Sequence, residues 1–76
     1  MIITVDAAAE IPPYAQVRSQ ILDAIATGAL PPGTRLPTIR QLAGDLGLAN
    51  NTVARAYREL RADGVLGSRG RRGTFV

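Results

Sequence analysis

The stretch LGLANNTVARAYRELR, residues 46–61, decides the fold of this chain. Its apolar residues recur at the i, i+3, i+4 and i+7 spacing of a single helix face: Val53, Ala56, Tyr57 and Leu60. At about 100° per residue, Asn51, Arg55 and Arg58 fall almost opposite that face. The sequence therefore predicts a helix over residues 50–61, with an inner side that joins a core and an outer side of amide and guanidinium groups.

A second helical pattern, Thr38 to Leu46, lies immediately upstream. Thr38 stands three residues before Gln41, which is the spacing of a capping box at a helix start. Gly47 leaves room only for a tight turn, so the two patterns predict a helix-turn-helix. Arg40 points away from the apolar face, and an exposed arginine there either aids solubility or contacts phosphate. We favour phosphate.

Length and composition restrict the class of protein. The 76 residues suffice for one small domain, and an apolar content of 46% argues against disorder. The chain has no cysteine and no histidine, which removes disulfides and the usual transition-metal ligands. No apolar run approaches the roughly 20 residues of a membrane span, and the N-terminus lacks a signal-peptide pattern. We expect a cytoplasmic protein that uses no cofactor or metal.

The net charge of +3 is unevenly distributed. Residues 1–34 carry one arginine against three acidic residues, whereas residues 35–76 carry eight arginines against three. A basic half beside an acidic half indicates a surface directed at a polyanion. All nine basic residues are arginine, which pairs bidentately with phosphate or guanine. A GC-rich genome would equally explain the missing lysine.

The N-terminal part predicts an arm followed by a scaffold helix. Residues 1–11 begin with an apolar, β-branched run and are expected to form a short strand or an ordered arm. Pro12 and Pro13 suit the first turn of a helix that runs to Gly28, a candidate C-terminal cap. The apolar stripe of this helix is Tyr14, Val17, Ile21, Leu22 and Ile25. Residues 30–37 then predict a loop, because proline and glycine punctuate them.

Three hydrogen-bonding residues open the helix over residues 50–61: Asn50, Asn51 and Thr52. In a purely structural interpretation they are cap and first-turn residues, with Asn50 as the N-cap. A cap needs only one such side chain. An asparagine amide can pair bidentately with adenine, and the N–H groups at a helix start can hold a phosphate. The run therefore favours a nucleic-acid contact.

The C-terminal segment predicts a hairpin, or wing, with a positively charged tip. Val65-Leu66 and Thr74-Phe75-Val76 are strand-like runs that flank GSRGRRG, residues 67–73. The glycines permit the positive φ angles of tight turns, and three arginines concentrate charge there: Arg69, Arg71 and Arg72. The alternative is a disordered arginine-rich tail.

Taken in order, the motifs of residues 12–76 resemble the N-terminal winged-helix domain of GntR-type bacterial transcriptional regulators. They are PY (13–14), QV (16–17), GAL (28–30), PG (32–33), LPT (36–38), RQLA (40–43), LGL (46–48), NTV (51–53), AYREL (56–60), DGVL (63–66) and GTFV (73–76). Residues 51–57 look like the YtrA-type members or those fused to an aminotransferase-like domain, and the segment before the first helix favours the YtrA-like group. The resemblance implies a mainly α winged helix-turn-helix, with three helices, a two-stranded β-hairpin wing and an optional short N-terminal strand.

The resemblance also implies which residues touch DNA. In the family these are the arginine after the Leu-Pro motif, the first turn of the recognition helix and the wing tip. Here they correspond to Thr38, Arg40, Asn50, Asn51, Thr52, Arg69 and Gly70. Many members have Ser-Arg in place of Ala49-Asn50 and Arg in place of Ala54, and Arg55 is the neighbouring guanidinium that could take over part of that role.

These features predict a bacterial, nucleoid-associated regulator that binds double-stranded DNA. We expect residues 50–61 in the major groove and the wing, residues 67–73, at the adjacent backbone or minor groove. The family implies a palindromic operator, a homodimer and, usually, a C-terminal effector or dimerisation region. The alternative is a winged helix whose arginine face docks on an acidic protein. An enzyme is not expected, because the acidic and serine residues have no imidazole base or metal site to work with.

Overall fold

The computed structural model describes residues 2–76, in which three helices precede a two-stranded hairpin. The helices are α1 (Pro13–Ala26), α2 (Ile39–Leu46) and α3 (Asn50–Ala62), and the antiparallel strands are β1 (Gly67–Ser68) and β2 (Thr74–Phe75). A 3-10 turn, Gly70–Arg72, joins the strands. This architecture confirms the predicted winged helix-turn-helix. None of the helices in residues 2–76 combines the length and hydrophobicity that a membrane span requires.

The core is built around α3, which packs against both α1 and α2. Its four predicted inward residues are at most 1% exposed: Val53, Ala56, Tyr57 and Leu60. Val17 and Ile21 meet them from α1, and Leu42 and Ala43 from α2. On the opposite side of α3, Asn51, Arg55 and Arg58 are exposed, so its outer side faces solvent.

The buried Tyr57 makes one polar contact inside the core. Its hydroxyl donates a 2.7 Å hydrogen bond to the Pro37 carbonyl oxygen. That bond ties α3 to the turn immediately before α2. Burial raises the pKa of Tyr57 to about 12, because removal from water disfavours the phenolate.

The N-terminal arm is ordered but contains no strand between residues 2 and 6. The Gln20 side-chain amide accepts a bond from the Thr4 N–H at 3.0 Å and donates to the Thr4 carbonyl at 2.7 Å. Gln16 makes the same pair of bonds with Asp6, both at 2.9 Å. Side-chain amides of α1 thus satisfy backbone groups that a neighbouring strand would otherwise pair. The short-strand alternative was wrong for these residues, and Met1 lies outside the described part.

Two details of α1 differ from the sequence-based prediction. The helix ends at Ala26 with Thr27 as its C-cap, and Gly28 follows with a φ of +83°, so the predicted glycine lies one residue beyond the cap. Of the predicted apolar stripe only Val17 and Ile21 are fully buried, whereas Leu22, Ile25 and Tyr14 are half-buried. Tyr14 sits at the edge between α1 and α3, where an arginine covers its ring.

The start of α2 follows the prediction. Thr38 caps the helix, and both bonds of the capping box form: Thr38 Oγ1 accepts from the Gln41 N–H at 3.1 Å, and Gln41 Oε1 accepts from the Thr38 N–H at 3.0 Å. The helix ends on Gly47, whose φ of +66° is the left-handed conformation that glycine adopts at low cost. These two signals fix the position of the turn between α2 and α3.

The first wing strand lies two residues later than predicted. The N–H groups of Val65 and Leu66 both donate to the Leu60 carbonyl, at 2.9 and 3.2 Å, so these residues close the end of α3. Pairing begins only at Gly67, opposite Phe75. The predicted loop over residues 30–37 also contains an unpredicted bridge between Arg35 and Phe75. That bridge gives the C-terminal strand a neighbour on its other edge.

Candidate nucleic-acid interface

The first turn of α3 presents amides to solvent. Ala49 is the N-cap and Asn50 the first helical residue, so the prediction that Asn50 caps the helix was wrong. The turn between α2 and α3 needs only Leu48 and Ala49 after Gly47. Ala49 therefore has the extended backbone of an N-cap, and the helix begins at Asn50. No side chain caps α3. The exposed amides of Asn50 and Asn51 are accordingly not used to start the helix.

Arg55 lies on the exposed side of α3 and contacts two other side chains of the domain. Its guanidinium carbon is 3.7 Å from the centre of the Tyr14 ring, and its Nε donates to Glu59 Oε2 at 3.2 Å. The side chain is still 51% exposed. Glu59 Oε1 also lies 3.5 Å from Arg18 Nε, so this carboxylate sits between two arginines.

Sequence reasoning did not select Tyr14 or Glu59 as parts of the site. The Arg55 to Glu59 spacing of four residues is a visible signal for a helical ion pair. Nothing in the local pattern places Tyr14 beside Arg55, because that contact depends on how α1 crosses α3.

The outer face of α3 continues with Arg58. It is exposed, and within the described chain it takes part in no ion pair, side-chain hydrogen bond or aromatic contact. Thr52, in the first turn of α3, is half-buried. Asn51, Arg55 and Arg58 are therefore the exposed polar groups nearest the centre of the side opposite the core stripe.

The start of α2 adds a second group of polar residues. Thr38 uses its hydroxyl oxygen as an acceptor in the capping box, which leaves the hydroxyl proton for another partner. Arg40 is exposed in the first turn of the helix. An exposed guanidinium beside helix N–H groups suits an anion such as phosphate.

The wing carries three exposed arginines around Gly70: Arg69, Arg71 and Arg72. Arg69 lies over the Phe75 ring, 5.2 Å from its centre, which keeps its guanidinium near the strands. Arg71 and Arg72 belong to the 3-10 turn at the tip, and Gly70 supplies a φ of +58° there. The tip is therefore a short, shaped turn that displays positive charge.

Arg35 is a fourth guanidinium at the wing that the sequence analysis did not select. A Cβ atom at Gly73 would lie 3.2 Å from Arg35 Nε, so the glycine makes room for this arginine. Gly73 also has a φ of +104°, which L side chains rarely adopt. The approach depends on the Arg35–Phe75 bridge between distant segments, and no local sequence signal reveals it.

The acidic side chain of this surface, Glu59, is paired with arginine, and residues 2–76 contain no cluster of metal-ligating side chains. Glu59 is the only carboxylate that forms an ion pair in the described residues, and both of its partners are arginines. No three side chains of the histidine, cysteine, aspartate or glutamate type lie together as metal ligands in residues 2–76. What the surface offers is hydrogen-bond donors and positive charge.

Nearly the whole chain is similar in sequence to bacterial regulatory proteins. The model of the bacterial regulatory proteins of the gntR family matches residues 13–76. The chain is 58% identical over 72 residues to the HTH-type transcriptional regulator Rv1152 of Mycobacterium tuberculosis, which covers 95% of this chain and 60% of that protein. The chain therefore spans less than two thirds of the length of this relative.

Solved structures that are similar over the full length of this chain include the following two. One is YtrA from Sulfolobus acidocaldarius, a GntR-family transcription factor, with a TM-score of 0.93, 39% identity and 80% of its own chain covered. The other is the DNA-binding domain of AraR in complex with operator ORX1, with a TM-score of 0.85, 29% identity and 95% coverage.

Proposed function

Because this chain belongs to the GntR family of bacterial regulatory proteins, we propose that it binds a specific operator in double-stranded DNA through the outer face of α3. Family membership confirms the predicted class, a DNA-binding domain of a transcriptional regulator and not an enzyme. The proposal concerns the residues that contact DNA and the number of chains that bind one operator. We assign its compartment as the bacterial cytoplasm.

One observation carries the assignment of faces. The four apolar residues of α3 are essentially inaccessible to water, and this leaves Asn51, Arg55 and Arg58 as exposed groups on the opposite side. An α-helix fits the major groove, where an asparagine pairs bidentately with adenine and an arginine with guanine. Asn51 and Arg58 are thus proposed to read base edges, with Asn50 and Thr52 beside them.

The remaining residues are proposed to contact phosphate. Thr38 and Arg40 stand at the start of α2, next to helix N–H groups that favour an anion. Gly70 and the three wing arginines are proposed to make the second contact with the DNA phosphates, at the tip of the hairpin. Contacts of this kind fix the register of a protein on DNA and supply most of its salt dependence.

The proposed complex contains two copies of the chain. One domain of this size covers only a half-site, and a two-fold symmetric pair would present two α3 helices about one helical turn of DNA apart. The structural neighbour AraR is described in complex with operator DNA. A palindromic operator would match the symmetry of such a dimer.

Selection of bound duplexes from a random-sequence pool tests the proposal. The expected result is an enriched motif of two inverted half-sites whose centres are separated by one helical turn. Recovery of no duplex even at low salt would contradict DNA binding and favour the acidic-partner alternative. A single, unrepeated half-site would contradict the proposed dimer while leaving DNA binding in place.

A further inference from the structure

We propose that Tyr14 and Glu59 are positioning residues that hold Arg55 ready for a bidentate contact with a pair of acceptor atoms on DNA. The inference rests on the proposed function of α3. It adds one residue from α1 and one acidic residue to the proposed DNA-binding site.

The geometry restrains Arg55 in two ways at once. The Tyr14 ring covers one side of the guanidinium, with 3.7 Å between the guanidinium carbon and the ring centre. Glu59 Oε2 accepts the Nε–H bond at 3.2 Å. A planar guanidinium can stack on an aromatic ring while its edges donate hydrogen bonds.

Both restraints leave the outer edge of the guanidinium unused. The two terminal nitrogens of Arg55 donate no hydrogen bond to any other residue between 2 and 76. Paired N–H groups of this kind match the O6 and N7 atoms of guanine or two oxygens of a phosphate. With Nε occupied by Glu59, the end-on edge is the part of the fork that is left for a ligand.

The carboxylate does not cancel the charge of the cluster. Glu59 lies within 4 Å of both Arg18 and Arg55, at 3.5 and 3.2 Å. One negative charge shared by two guanidinium groups leaves the edge between α1 and α3 net positive. Arg55 therefore still attracts a polyanion although it has an acidic neighbour.

Restraint before binding is what gives Tyr14 and Glu59 an effect on affinity. A long side chain loses rotamer freedom when it is fixed by a ligand, and this loss opposes binding. In this domain a large part of that loss occurs on folding, because the ring and the carboxylate already select the conformation of Arg55.

A double-mutant cycle tests the proposal, with the duplex most enriched by the wild-type chain as the probe. Tyr14→Leu is expected to raise Kd roughly threefold to tenfold when Arg55 is present. In an Arg55→Ala background the same substitution should change Kd by less than about twofold, since the group it positions is gone. Tyr14→Phe keeps the ring and should bind like the wild type.

A purely structural role for Tyr14 gives a different result. Equal losses from Tyr14→Leu in both backgrounds would overturn the proposal, and so would a loss in Tyr14→Phe as large as in Tyr14→Leu. If Tyr14→Leu unfolds the domain, a cycle of Glu59→Ala with Arg55→Ala provides the same test, with the same coupling expected. A wild-type chain that enriches no duplex would instead refute the proposed function itself.

The acceptor is identified by the sequence dependence of Arg55→Ala. Loss of preference at one base pair would assign guanine. Uniform weakening on all duplexes, with a salt slope reduced by about one, would assign phosphate. No effect of Arg55→Ala on either quantity would overturn the proposal.

Discussion

Replacing Arg69, Arg71 and Arg72 together by glutamine is expected to weaken binding to every duplex about hundredfold at moderate salt. All three are exposed around the wing tip, outside the core. Three lost phosphate contacts would also reduce the slope of log K against log salt by roughly 3, since each contact releases about one counterion. Affinity titrations over a series of salt concentrations measure both quantities.

The matched control for this triple variant is the same three positions changed to lysine. Lysine keeps the positive charge and loses the planar fork, so a wing that contacts phosphate should retain most of its salt slope. An unchanged slope in the glutamine variant would contradict the role of the wing. A lysine variant as weak as the glutamine variant would contradict the electrostatic basis of the contact.

Raising the pH from 10 to 12 is expected to remove roughly 2 kcal/mol of folding stability through Tyr57. Burial raises the pKa of this phenol from 10.0 to about 12. The native state keeps the proton where the unfolded chain has lost it, so the contribution is complete below pH 10 and declines as the pH rises towards 12. Urea unfolding across this range measures the loss of stability, which is large for a chain whose total is about 4–11 kcal/mol.

The two tyrosines of the chain provide a matched pair of controls. Tyr57→Phe should abolish most of the decline above pH 10, and below pH 10 it should cost about 1 kcal/mol through the lost bond to Pro37. Tyr14→Phe changes a half-buried tyrosine and should leave the decline in place. A decline that persists in Tyr57→Phe would show that another group is responsible.

The sequence predicted the parts of the fold that local chemistry determines. The i, i+3, i+4 and i+7 stripe of α3 is a one-helix property, and the four residues it names are the buried ones. The capping box at Thr38 and the left-handed Gly47 need only a few neighbouring residues, and both were found as predicted. Together they fix the helix-turn-helix and therefore the side of α3 that faces solvent.

What the sequence did not predict depends on contacts between distant segments. Arg55 meets Tyr14 because α1 crosses α3 at that point, and Arg35 approaches Gly73 because of a β-bridge to Phe75. Neither contact is marked in the sequence by a repeat of residue types or by a fixed spacing. The wing strand was misplaced for a related reason: Val65 and Leu66 look like a strand, but their N–H groups are taken by the end of α3.

If the outer face of α3 reads base sequence, parallel selection with the wild type and with Asn51→Ala will enrich different motifs. Both chains would be offered the same random duplex pool at the same salt concentration. We expect Asn51→Ala to lose its preference at one base pair in each half-site, a contact worth about 1–3 kcal/mol, and to keep the remaining motif. An Asn51→Ala motif identical to that of the wild type at every position would contradict base reading by this face.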